Sequence, residues 1–133
     1  MTAKNALALH TWTLDTTPLA DLLRIARATG WDAVELRRLD WERADKAGQP
    51  ASAVVDQVKA SELAVACVGV ELGWMWASGE ERARLFRVFD EQCARAASLG
   101  CARMMSPVDR GRGEVRAAAA SIRHGDLTAL LYL

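Results

Sequence analysis

The chain of 133 residues lacks an excess of charge of either sign: seventeen Lys and Arg stand against seventeen Asp and Glu. That balance removes the electrostatic footprint expected of a nucleic-acid binder or of a protein held on an anionic membrane. It also leaves little colloidal repulsion, so association is easy. No stretch approaches ~20 uninterrupted apolar residues, and no transmembrane helix is expected. Met1-Thr2-Ala3-Lys4 leads into an apolar run that His10 breaks too early for a signal peptide. Cysteine is scarce: Cys67, Cys93 and Cys101 form an odd set with no C-x-x-C pair. Buried free thiols in a reducing, cytoplasmic setting follow, ahead of any metal or redox role. Proline is scarce too, and no Pro/Ser-rich linker divides the chain, so residues 1–133 read as one domain.

What is present is a repeated phrase. An amphipathic helix ends on a small or polar residue, and a short apolar run follows and stops on polar groups. The runs are Ala6–Thr11, Asp32–Arg37, Leu63–Glu71 and Cys101–Ser106. Asp15-Thr16-Thr17-Pro18 is a helix-start signature. Leu19, Leu22, Leu23 and Ala26 then make an apolar face that Gly30 terminates. Trp41 to Gln49 reads as a charged loop, Pro50 to Ser61 as a second helix, and Leu72–Ser78 as an aromatic loop. Gly79 to Leu99 reads as a long third helix, with Leu85, Phe86, Phe89, Cys93 and Ala97 on one face. Pro107–Gly113 is a polar loop, and Glu114–Arg123 begins a fourth helix.

From His124 the pattern is irregular. His124-Gly125-Asp126 interrupts the fourth helix, and Leu127–Leu133 is a fifth-strand candidate with no polar exit. Alternating strands and helices predict an α/β fold with a parallel sheet. Four such units are about half of a (β/α)₈ TIM barrel, which typically needs ~250 residues. The expectation is a partial barrel, truncated within its fourth unit.

Strand parity turns this into a site argument, because alternate residues face opposite sides. Leu7 and Leu9 share a face, opposite Ala6, Ala8 and His10. Val34 and Leu36 oppose Ala33, Glu35 and Arg37. Ala66, Val68 and Val70 oppose Cys67, Gly69 and Glu71. If the larger aliphatics meet the helices, the inward set ends in His10, Glu35, Arg37 and Glu71. All four lie near the carboxyl ends of strands, where α/β proteins bind ligands. An inward Glu35 needs Arg37, another cation, a substrate or water as a partner. Strand four does not sort, since Met104 and Met105 both suit a core.

The phrase Gly30-Trp31-Asp32-Ala33-Val34-Glu35-Leu36-Arg37 resembles the end of helix one and strand two in the sugar phosphate isomerase/epimerase superfamily, the xylose isomerase-like TIM barrels. Leu99-Gly100-Cys101-Ala102-Arg103, after an Ala-rich helix, is a second match. The resemblance covers roughly residues 5–123 and separates no one member of the superfamily. It implies metal-assisted proton transfer on a small polyol or keto-sugar, with a divalent cation (Mn, Mg, Zn or Co) held by Glu, Asp and His near the ends of later strands. No ligand of that cation carries over onto this chain. By the resemblance, Glu35 matches an acidic pocket position and His10 a polar strand-one position. The Trp74–Trp76 loop matches a substrate-covering segment.

The candidate substrate-binding residues are therefore His10, Glu35, Arg37, Glu71, Trp74 and Trp76. All but Arg37 have a structural alternative. Glu35 can pair with Arg37 or Arg38, His10 can be a hydrogen-bonded strand-end residue, and Glu71 can cap helix three. Trp74 and Trp76 can pack under their loop. His10, Glu35 and Glu71 also suit a three-ligand metal site by residue type. Arg110 and Arg112 can grip a phosphate or form a solvated loop.

Two functions follow. One is the N-terminal portion of an isomerase/epimerase-like enzyme, incomplete alone and completed by a homo-oligomeric or complementing half-barrel partner. The other is a non-catalytic, truncated α/β module that binds a partner or a sugar. A DNA-repair nuclease of the same superfamily lacks support, with neither basic excess nor ligand set present.

Overall fold

The computed structural model describes residues 6–74, 76–107 and 128–132. The chain runs β1 (Ala8–His10), a 3₁₀ turn (Thr11–Leu14), α1 (Leu19–Ala28), β2 (Ala33–Leu36), α2 (Arg38–Lys46), α3 (Ala51–Ala60), β3 (Ala64–Gly69), α4 (Gly79–Ser98), β4 (Arg103–Pro107) and β5 (Thr128–Tyr132). The five strands form one sheet in the order β1-β2-β3-β4-β5. Every neighbouring pair is parallel. Parallel neighbours require crossovers, and α1, α3 and α4 supply them between β1 and β4. The expected α/β fold with a parallel sheet is what forms. The fourth-helix segment Glu114–Arg123 and the pair Arg110 and Arg112 lie outside the described residues.

Leu9, Val34, Leu36, Val68 and Met104 join Leu22, Leu23 and Ala26 of α1, Val54 and Val58 of α3, and Leu85 and Ala96 of α4 in one buried cluster. The aliphatic parity thus selects the helix-facing side in β1, β2 and β3. The register places His10, Glu35 and Cys67 in one row on the other side. That row depends on a bulge: Val34 pairs with Val65, but Glu35 pairs with Cys67, which leaves Ala66 as the extra residue. The sequence ambiguity in strand four resolves as well. Met104 is fully buried among the helices, and Met105 is half-buried on the opposite side.

Three expectations need correction. Leu7 does not meet the helical layer and is 59% exposed. It precedes the strand, and its carbonyl accepts from Asp32 and Ala33 at the sheet margin, beyond the reach of α1. The segment Trp41 to Gln49 is not a loop, because α2 occupies Arg38–Lys46. Trp41 and Ala44, three apart, bury one stripe, and the Asp40 carboxylate accepts the Arg37 N–H at the helix start. Gly48, at φ +72, ends it. In α4 the buried face runs through Leu85, Gln92 and Ala96, and Ala97 is exposed. A polar residue in the apolar stripe shifted the reading by one position.

Leu36 is fully buried between sheet and helices. We expect Leu36→Ala to lower the unfolding free energy by about 2–5 kcal/mol, read from urea midpoints.

Candidate functional site

The strand ends carry a polar frame centred on Arg37, which stands between β2 and α2. Its Nε donates to Thr11 Oγ1 at 2.9 Å, its Nη1 to Asp15 Oδ1 at 2.7 Å, and its Nη2 to the Thr11 carbonyl at 3.5 Å. Asp40 Oδ1 lies 3.6 Å from Nη2. Asp40 is itself buried and accepts from Thr11 Oγ1 at 2.9 Å and from the Arg37 N–H at 2.7 Å. A buried carboxylate needs such partners, and here they are all local. Arg43 adds a second guanidinium on Asp15, at 3.0 Å. The hydrogen bond from Arg37 leads the causes that hold the Asp15 carboxyl below its ordinary range.

Beside this frame lies a cleft of about 700 Å³. His10, Arg37, Arg38, Glu71, Met105 and the exposed Trp12 are among the residues that line it. His10 Nδ1 accepts the Trp12 N–H at 3.0 Å, which caps the 3₁₀ turn and leaves Nε2 as the protonated ring nitrogen. Glu71 accepts from Arg84 Nη2 at 3.1 Å, and Arg38 pairs with Glu42. Gly69 forms part of the floor. A Cβ there would stand 3.5 Å from the Leu36 carbonyl oxygen and 3.7 Å from Met105 Cε. Gln92, fully buried on α4, donates to the Gly69 carbonyl at 3.1 Å and fixes the end of β3.

The candidate residues therefore divide. His10, Arg37 and Glu71 come together at the cleft. Glu35 sits lower, in the row between His10 and Cys67, and has no hydrogen bond or ion pair among the described residues. The Arg37 partner open to it in the sequence reading is taken by Asp15 and Asp40. Burial, followed by the Glu35 charge, pushes the neighbouring Cys67 thiol up to about 12, so it stays protonated. Trp74 is buried. Its Nε1 donates to Ser106 Oγ at 2.7 Å, and its ring meets Phe86 edge-on at 5.8 Å. Trp76 is half-buried, and its N–H closes a turn on the Gly73 carbonyl.

Sequence reasoning missed Trp12, Asp15 and Arg38 as cleft residues. Trp12 lay in the polar exit of the first strand, which was signal enough to place it there. Asp15 read as a helix cap, yet α1 begins after Pro18 with no side-chain cap.

Among the described residues, no group of three or more His, Cys, Asp or Glu converges on a point that could hold a metal ion. The carboxylates of the cleft are engaged by guanidiniums, and His10 Nδ1 is spent on the backbone. These donors do not fit a divalent cation.

Two outcomes test the frame. Arg37→Met strands the Asp40 carboxylate, and we expect it to cost about 3–5 kcal/mol in urea unfolding. Asp15→Asn should be less stable than the parent at neutral pH. A depressed carboxylate pKa contributes stability that is complete above the unfolded-state value and is lost as pH falls through the folded-state value. The gap between the two proteins should therefore close on acidification, in unfolding curves taken across that range.

No protein-family model matches the sequence, and no curated protein matches it. Solved structures do match. A xylose isomerase domain protein from Alicyclobacillus acidocaldarius superposes with a TM-score of 0.73 at 21% identity, over 95% of this chain and 49% of that one. The IolI protein, crystallised with a bound zinc atom, gives 0.72 at 10% identity, over 96% and 51%. An AP endonuclease of family 2 from Brucella melitensis gives 0.69 at 16%, over 96% and 55%. At these identities the likeness is one of fold, and the chain spans about half the length of these structures. Its fold is that of half of a xylose isomerase-like TIM barrel.

Proposed function

We propose that this chain is the sugar-binding portion of an isomerase/epimerase-like barrel, and that its strand-end cleft takes a small polyol or keto-sugar. The observation that carries this is the cleft itself. An exposed indole, Trp12, stands beside His10, whose other ring N–H has no partner among the described residues and is open to a hydroxyl or carbonyl oxygen. An aromatic face and a few fixed donors are what a sugar ring requires. Glu35, in the same strand row as His10 and with no partner among the described residues, is the carboxylate left to accept from a substrate hydroxyl. The similar structures include a xylose isomerase domain protein, which supports a carbohydrate substrate.

Metal-assisted proton transfer at the carbon beside a carbonyl belongs to the whole barrel in this proposal. The described residues of this chain supply no cation site, so the roles assigned to them are binding and orientation. Completion of the barrel by a second copy or a complementing half is part of this proposal, and it is supported by β1 and β5, which stand at the ends of the sheet with one strand partner each among the described residues. A reducing cytoplasmic setting fits the three free cysteines. Among the described residues, no helix is long and apolar enough to cross a membrane. One observation favours the second reading, a non-catalytic sugar-binding module: the paired state of Arg37, Arg38 and Glu71.

Titration with D-fructose, D-xylose and myo-inositol, followed through the Trp12 indole N–H resonance, tests the proposal. We expect saturable shifts in the parent, and binding weakened about tenfold or more in Trp12→Ala when both proteins are titrated calorimetrically. Absence of binding by all three sugars would overturn the sugar-site reading.

A further inference from the structure

We infer that the strand-end cleft selects an uncharged ligand and discriminates against a phosphorylated one. The inference rests on the sugar-site reading and narrows its substrate class. Its basis is the pairing of every charged side chain that lines the cleft among the described residues. Two guanidiniums and two carboxylates are there: Arg37, Arg38, Asp15 and Glu71. Arg37 spends Nε, Nη1 and Nη2 on Thr11 and Asp15, with Asp40 behind it, and its side chain is only 13% exposed. Arg38 is held by Glu42, and Glu71 by Arg84. Among the described residues, no unpaired cation is left in the cleft wall to meet a phosphate dianion.

A phosphate ester entering this cleft would lose water and meet guanidiniums whose charge neighbouring carboxylates already balance. The remaining surface suits a neutral molecule with one apolar face. Trp12 and Leu72 are 69% and 57% exposed, Val70 and Met105 add apolar wall, and the His10 Nε2–H is a donor with no partner among the described residues. The discrimination is built from internal ion pairs, so releasing one guanidinium should relax it. Glu42 provides the means. It lies one turn along α2 from Arg38, is itself absent from the cleft wall, and neutralises Arg38 from there.

The test compares D-fructose with D-fructose 6-phosphate, and inorganic phosphate alone, by the Trp12 indole resonance in the parent and in Glu42→Gln. In the parent, the neutral sugar should bind at least about tenfold more tightly than its phosphate ester, with inorganic phosphate silent. In Glu42→Gln, the neutral sugar should bind as before while the ester gains several-fold. Tighter binding of the ester by the parent overturns the inference and leaves the sugar site standing. A preference unchanged by Glu42→Gln also overturns it, because ion pairing then does not set the selectivity. If neither sugar binds, the sugar-site reading falls, and this inference with it.

Discussion

One guanidinium holds the upper end of this protein together. Arg37 touches the chain after β1 through Thr11, the segment before α1 through Asp15, and the first turn of α2 through Asp40. Parallel strands end side by side with nothing in their own ladder to fix what comes next. The loops that follow need an external tie, and a planar donor group with several directed N–H bonds can address three of them at once. Because Asp40 is buried, the tie is also obligatory: without the cation, a carboxylate would be left in a poorly solvated site. The position of His10 and Trp12 at the cleft mouth is downstream of this one arrangement.

The same economy explains the character of the cleft. Charged groups gathered at strand ends can serve a ligand or serve the scaffold. Arg37 and Glu71 are occupied with Asp15 and Arg84, which makes them walls of fixed shape and little net field. Glu35, one level below, is in the opposite condition. It stands in a row with a histidine and a protonated thiol and is free of internal partners among the described residues. A paired rim at the cleft thus contrasts with a carboxylate that has no partner among the described residues.

The architecture was legible in the sequence because its signals are local. Period-two parity in Leu9, Val34, Leu36 and Val68 identified the side that meets the helices, and Gly30 and Gly100 marked helix ends. What the sequence hid were choices made by tertiary partners. Arg37 and Glu35 share a face by parity, yet the chain leaves β2 at Leu36 and turns Arg37 toward Thr11 and Asp15. Trp74 and Trp12 are equivalent as residue types. A hydroxyl on β4 draws the first into the core, while the second has a histidine beside it and solvent above. The α2 helix escaped notice because its apolar stripe is only Trp41 and Ala44 within a charged segment, and its buried carboxylate reads as surface.

The floor of the cleft at Gly69 has a different kind of consequence. Strand, carbonyl and methionine leave room there for one methyl group at ordinary contact distance. Depth at this point is set by a side chain that does not exist, and it is independent of the ion pairs that shape the rim. A lineage carrying this scaffold could therefore trim the cavity to a smaller guest by a single codon change, while the guanidinium frame and the packing beneath the sheet stayed as they are.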